Sequence, residues 1–100
     1  MASTAHRNIG SNKGNRRIWI EGDLLASQGW TRGTRYDRLV DVETGRIHLT
    51  ANPDGRYKVA GTDSRPILDL AGQWMTRWVD AAGAESVEVV VTPTTVRISN

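Results

Sequence analysis

Short runs of β-branched and aromatic residues, separated by polar turns, occupy most of the chain. Residues 17–20 are of this kind, and residues 46–50 alternate between polar and apolar like a strand with one buried face. Residues 34–42 are predicted to be extended, and a Glu-Thr-Gly turn at residues 43–45 joins them to the strand that follows. The first half of the chain is therefore predicted to hold a strand and then a hairpin.

A concentration of turn-forming residues at 51–55 separates this half from a second one with the same order of elements. Residues 57–60 are predicted to be extended and residues 67–70 to form a strand. Two further strands, at residues 87–91 and 96–98, flank a Thr-Pro-Thr turn. The second half thus also ends in a hairpin.

Each half has one predicted helix between its strand and its hairpin. A short helix over residues 24–28 ends at Gly29, and a longer one over residues 73–82 ends at Gly83. Glycine is favoured at both ends because it adopts the left-handed conformation at low cost. The predicted fold class is therefore α+β, mainly β with two short helices.

The two halves also match residue by residue, which indicates an internal repeat. IEGDLL at residues 20–25 aligns with LAGQWM at residues 70–75, and its glycine, Gly22, stands fifty positions before Gly72. The end of the first hairpin, residues 45–50, aligns with the end of the chain. The alternative is a chance similarity between two short β-rich segments.

The repeats are predicted to share one core. They cover about residues 16–52 and 56–100, and units of this size bury too little surface to offset chain entropy alone. Two copies packed about a pseudo-twofold axis could do so. We therefore expect a single domain over residues 16–100, preceded by a flexible basic arm or loose hairpin over residues 1–15, which are rich in Ser, Asn and Gly.

The aligned segments resemble a known superfamily. IEGDLLASQGWTRGTRYDRLVDVETGRIHLT, residues 20–50, resembles the SpoVT/AbrB swapped-hairpin domains and is most similar among them to SymE-like proteins; LAGQWM is similar to the same group. The matches cover nearly all of residues 17–99. Because members of this superfamily usually form homodimers with interleaved hairpins, the resemblance implies a pseudo-dimer within one chain, a swapped-hairpin AbrB-like barrel formed by two repeats.

The resemblance also implies a function. Many members are DNA-binding regulators or antitoxins whose basic residues lie at the head of the strand before the helix and on the helix. Arg17 occupies that strand position with Arg16 beside it, but the helix has Leu25 and Ala26 where regulators carry arginine, and the second copy has Ile67 at the strand position. Twofold reading of two half-sites needs equivalent contacts from both halves, so one-sided or weak binding is expected.

The charge distribution points to the first half as the side that meets a polyanion. Residues 1–38 contain seven basic and three acidic residues, whereas residues 39–100 contain six and eight. A solvated tail and salt-paired strand residues are the competing interpretations. The predicted nucleic-acid contacts are Arg7, Lys13, Arg16, Arg17, Arg32 and Arg35.

The sequence offers little for catalysis. It contains no cysteine, which excludes disulfides, thiolate zinc sites and cysteine nucleophiles. Neither His6 nor His48 belongs to an acid–base or metal cluster, and no glycine-rich phosphate loop follows a strand. We expect no enzyme, no cofactor and no metal. The lack of a long apolar run predicts a cytoplasmic protein without a membrane partner.

Tryptophan replaces phenylalanine, which is absent. All four tryptophans are expected to lie in the core, and Trp30, just after Gly29, is the first candidate for an exposed stacking platform or interface anchor. The four are Trp19, Trp30, Trp74 and Trp78.

Two functions follow from these observations. The first is a small nucleic-acid-binding protein, an AbrB/SymE-like transcription regulator or toxin-like factor that binds DNA or RNA. The alternative is a protein-interaction module or inhibitor from a mobile element or phage, favoured by the missing helix arginines and the acidic second half.

Overall fold

The computed structural model describes residues 2–100, so Met1 of the predicted arm lies outside the described residues. The protein is mainly β, with 51% strand, 14% helix and two helices, which confirms the coarse prediction of a mainly β fold with two helices, but its sheets are not closed into the expected barrel. The strands are β1 (Ser3–Asn8), β2 (Gly10–Asn12), β3 (Asn15–Glu21), β4 (Arg35–Asp41), β5 (Arg46–Ala51), β6 (Tyr57–Lys58), β7 (Ala60–Gly61), β8 (Pro66–Ala71), β9 (Ser86–Val91) and β10 (Thr95–Ser99). The helices are α1 (Asp23–Ala26) and α2 (Gln73–Ala82).

The strands form two antiparallel sheets. A six-stranded sheet has the order β1-β9-β10-β5-β4-β6, and a four-stranded sheet has the order β2-β3-β8-β7. Alternation explains which side of each strand is buried: Ile18 and Ile20 on β3 are fully buried, as are Val89 and Val91 on β9. One cluster of buried residues joins both sheets to both helices, and each fully buried aliphatic side chain contributes about 1.5–3 kcal/mol.

The N-terminal segment differs from the flexible arm expected over residues 1–15. All six residues of β1 pair with β9 in the second half, and β2 pairs with β3 across a hairpin. Lys13 and Gly14 form the tip of that hairpin, both with positive φ (52° and 84°). β1 lies at a sheet edge and is held by its backbone pairing with β9. It therefore does not need the apolar alternation by which a strand is recognised in a sequence.

In each sheet, equivalent strands of the two halves lie at equal distances from the two edges. The outermost strands of the six-stranded sheet are β1 and β6, each the first strand of its half. Each pairs with the hairpin of the other half: β1 with β9, and β6 with β4. The four-stranded sheet is arranged in the same way, with β2 and β7 outside and β3 and β8 at the centre.

The residue pairing is symmetric too. Trp19 and Asp69, fifty positions apart in the sequence, face each other at the centre of the four-stranded sheet. Two backbone hydrogen bonds also correspond, one from Ile9 N–H to the Glu85 carbonyl and one from Val59 N–H to the Thr34 carbonyl. Further corresponding pairs are Gly10–Arg17 and Ala60–Ile67. Residues 7–22 and 57–72 are therefore structurally equivalent, position by position.

Candidate nucleic-acid interface

A surface cleft of about 520 Å³ lies where β1, β2 and β3 meet. Ile18 and Ile20 of β3 point into the core, so the residues between and beside them point outward. Both ends of the short connection from β1 to β2 border the same space. The lining residues are Arg7, Asn8, Gly10, Ser11, Arg17, Trp19 and Glu21. The sequence of β3 thus places an arginine, an indole and a carboxylate in a row along one wall.

Arg17 is held firmly in this wall. Its Nε lies 2.8 Å and its Nη2 3.1 Å from the two carboxylate oxygens of Asp69 on β8. Its Cζ lies 4.2 Å from the centroid of the Trp19 ring, within cation–π range. Two-point pairing fixes the guanidinium plane and also compensates its charge. The Arg17 guanidinium therefore covers one face of the Trp19 indole, and the two side chains form an ordered arginine–aromatic stack with reduced positive charge.

Glu21 closes the other end of the row. A hydrogen bond from Arg65 lowers the pKa of the Glu21 carboxyl most, followed by one from Trp19, and the nearby charge of Arg7 lowers it further. The Arg65 Nε lies 3.0 Å from Glu21 Oε2. The same hydrogen bond raises the pKa of Arg65. Glu21 is therefore ionised at neutral pH and is held by Arg65 at the end of the row.

Arg7 is a cation of the cleft without a direct ion pair within residues 2–100, although the Glu21 carboxylate lies near enough to interact with its charge. It is half-buried on β1, and its Nη1 donates a hydrogen bond to the His6 carbonyl at 2.9 Å. Within residues 2–100 three ion pairs are formed, and Arg7 takes part in none of them. Its remaining donors are available to an anion in the cleft.

The other predicted contacts lie outside the cleft. Lys13 is at the hairpin tip, and Arg16 is exposed on the side of β3 opposite Arg17. Arg32 pairs with Asp63 at 3.0 Å, as the salt-paired interpretation expects. Arg35 Nη1 instead donates to the Gly55 carbonyl at 3.0 Å. Of the six predicted residues, the structure brings Arg7 and Arg17 together in one cleft.

The corresponding region of the second half has different chemistry. The positions fifty residues after Arg7 and Arg17 are Tyr57 and Ile67. Tyr57 stacks on Tyr36, with ring centroids 5.6 Å apart. The Arg38 Cζ lies 4.5 Å from the centroid of the Tyr57 ring. Neither cation of the cleft is therefore repeated at the corresponding positions of the second half.

The tryptophans correct one expectation. Trp30, the first candidate for an exposed platform, is only 1% exposed, and its Nε1 donates to the Thr92 carbonyl at 2.8 Å. Trp78 is also buried, as expected for the core. Trp19 instead reaches the surface and lines the cleft. The exposure of Trp19 could have been predicted from the alternation of β3, because residue 19 stands between two inward-facing isoleucines.

Residues 2–100 contain neither a metal-binding cluster nor a helix that could span a membrane. No group of three or more His, Asp or Glu side chains in this part of the chain is arranged to hold a metal ion. Across the same described residues, the helices lack the length and apolar character needed to cross a membrane.

Comparisons with protein-family models, curated proteins and solved structures find no match to this chain.

Proposed function

We propose that the protein is a small cytoplasmic nucleic-acid-binding protein, a transcription regulator or toxin-like factor, that contacts nucleic acid through the cleft between β1 and β3. The observation that carries the proposal is the union of Arg7, Arg17 and Trp19 in one cleft. Cations that meet phosphates and an aromatic surface that meets bases are the two components of most nucleic-acid sites.

The proposed fold is the swapped-hairpin arrangement of the SpoVT/AbrB superfamily, made from two repeats in one chain. The exchange of β1 and β6 between the two hairpins supports this proposal. The symmetric registers support it too. In this arrangement residues 7–22 and 57–72 descend from equivalent elements, and their differences reflect function.

Binding through this cleft is expected to be moderate. Arg7 can neutralise a phosphate at once, whereas Arg17 shares its charge with Asp69. Each phosphate contact contributes roughly 0.7–0.9 to the slope of log affinity against log salt concentration. One or two contacts therefore predict a slope of about −1 to −2, far smaller than that of a large basic DNA-binding surface.

A protein partner is the second candidate function. Leu39 and Val42, at the end of β4 and just beyond it, are 63% and 52% exposed. Two large apolar side chains so close together are a small contact point for a protein. They lie outside the cleft lining, so variants can separate the two functions.

The test is a titration of labelled single-stranded DNA, single-stranded RNA and duplex DNA with the protein, followed by fluorescence anisotropy at about 50 and 150 mM salt. The double variant Arg7→Ala with Arg17→Ala is expected to lose at least about tenfold in affinity. Arg46→Ala, which removes an exposed arginine from β5, is the matched control and should bind like the parent. No binding of any nucleic acid at the lower salt would overturn the proposal.

A further inference from the structure

The geometry points to a single-stranded ligand: we infer that the cleft takes one unstacked nucleotide, with its base against the Arg17–Trp19 surface and its phosphate at Arg7, and that each chain has one such site. The inference rests on the proposed function and specifies the form of nucleic acid that it recognises.

The shape of the cleft favours an unstacked nucleotide over a duplex. A volume of about 520 Å³ is within the range of small-molecule sites, and the cleft is concave. A duplex hides the faces of its bases and presents only their edges in the grooves. The aromatic wall formed by Trp19 can therefore be used only by a base that has left the stack.

The stacking surface is ordered before the ligand arrives. Asp69 holds both Nε and Nη2 of Arg17, and the guanidinium lies over the indole at 4.2 Å. Bases stack on arginine planes as well as on aromatic rings. Because these side chains are already fixed, binding costs little side-chain entropy.

The positions of the cations also disfavour a duplex. A duplex presents two rows of phosphates and calls for several cations on one surface. Arg16 and Arg17 are adjacent in sequence but point to opposite sides of β3, and Asp69 compensates Arg17. Of the two arginines that line the cleft, Arg17 is paired and Arg7 forms none of the ion pairs described for residues 2–100. One such cation suits a single phosphate.

Gly10 keeps the cleft open. It pairs with Arg17, so a side chain at position 10 would point to the same side of the sheet as Arg17. A Cβ there would meet only the Arg17 carbonyl oxygen at 3.9 Å, an ordinary contact. A larger residue at this position can therefore fill the cleft without changing its charge or straining the backbone.

The site occurs once because the two halves differ at the positions that matter. Tyr57 and Ile67 stand where Arg7 and Arg17 do, and Asp69 stands at the counterpart of Trp19. The second half thus lacks counterparts of Arg7, Arg17 and Trp19, and its arginine–aromatic contact is a different one, in which Arg38 lies over Tyr57 and Trp74. One nucleotide site per chain follows from this loss of symmetry.

The experiment compares labelled oligo(dT) and oligo(rU) of about six nucleotides with a longer G·C-rich duplex that stays double-stranded, at about 50 mM salt. Single strands are expected to bind at least about tenfold more tightly than the duplex, with one strand per chain. Trp19→Ala should weaken single-strand binding about tenfold, and Trp19→Phe should retain most of it. Trp74 is half-buried and lies outside the cleft, so Trp74→Phe is the matched control and should bind like the parent.

A second pair of variants tests the cleft by occupancy. Gly10→Leu should abolish single-strand binding, whereas Ala60→Leu, at the corresponding position of the second half, should leave it unchanged. Circular dichroism and thermal melting check that each variant is folded.

The outcomes separate this inference from the function on which it rests. Equal or tighter binding of the duplex, or full single-strand affinity in Trp19→Ala and Gly10→Leu, would overturn the single-strand inference and leave nucleic-acid binding in place. Two strands bound per chain would overturn the claim of one site. No binding of any oligonucleotide would remove both proposals.

Discussion

Asp69→Asn is expected to strengthen nucleic-acid binding. Asp69 compensates Arg17 through two contacts of 2.8 and 3.1 Å, and its own negative charge repels a phosphate in the cleft. Asparagine keeps the size of the side chain and can still accept a hydrogen bond from Arg17, so the guanidinium remains near the Trp19 ring. The substitution thus changes charge much more than shape.

The size of the gain follows from simple electrostatics. A unit charge about 4 Å away contributes about 1 kcal/mol in water and less at longer range, so removing the charge of Asp69 predicts at most about fivefold tighter binding. Releasing Arg17 for a second phosphate contact also makes the salt slope steeper by about 0.7–0.9. The cost in stability is small, about 1 kcal/mol or less, because the two side chains are 29% and 36% exposed.

The assay is fluorescence anisotropy with labelled single-stranded DNA over a series of salt concentrations, with thermal melting in parallel. Asp63→Asn is the matched control, since Asp63 pairs with Arg32 outside the cleft and its loss should change binding little. If Asp69→Asn melts like the parent but binds equally or more weakly, Arg17 does not contribute its charge to binding and the reasoning is refuted.

Two further predictions concern stability. Glu21 has a lowered pKa in the folded protein, so its contribution to folding stability is present above its ordinary pKa of 4.5 and is lost as the pH falls through the lowered value. The difference in melting temperature between the parent and Glu21→Gln should therefore disappear in acid. A difference independent of pH would contradict the Arg65 contact. Trp30→Phe loses a hydrogen bond to Thr92, whereas the buried Trp78 Nε1 has no partner within residues 2–100, so denaturant titration should find Trp30→Phe less stable than Trp78→Phe by roughly 1 kcal/mol; equal losses would argue against that hydrogen bond.

Local patterns in the sequence predicted much of the fold. The helix expected over residues 73–82 is α2 with the same bounds, and Gly83 ends it in the left-handed conformation with φ 65°. The shorter helix ends at Ala26, before the predicted residue 28. The alternation of residues 46–50 corresponds to β5. These features depend on neighbours within one element, where sequence periodicity is informative.

Long-range pairing was not accessible in the same way. β1 has no apolar alternation, and only its backbone pairing with β9, 78 to 88 residues away in the sequence, makes it a strand. Such a partner cannot be identified from a polar segment taken alone.

The cleft shows the same division. Arg7 and Arg17 were predicted as contacts from charge and resemblance. The ion pair between Arg17 and Asp69 depends on the register of β3 against β8, which sets Trp19 opposite Asp69. Sequence reasoning therefore supplied the cations but missed the stacking surface and the charge that compensates it.

The most direct test of the central claim is a nuclear magnetic resonance titration of the labelled protein with a short single-stranded oligonucleotide. We predict that backbone and indole signals shift around residues 7–11 and 17–21 and at Asp69, which contacts Arg17, and stay in place at residues 57–61, which correspond to residues 7–11. Shifts of equal size at residues 7–11 and 57–61, or shifts centred on Leu39 and Val42 with the cleft unchanged, would contradict this prediction.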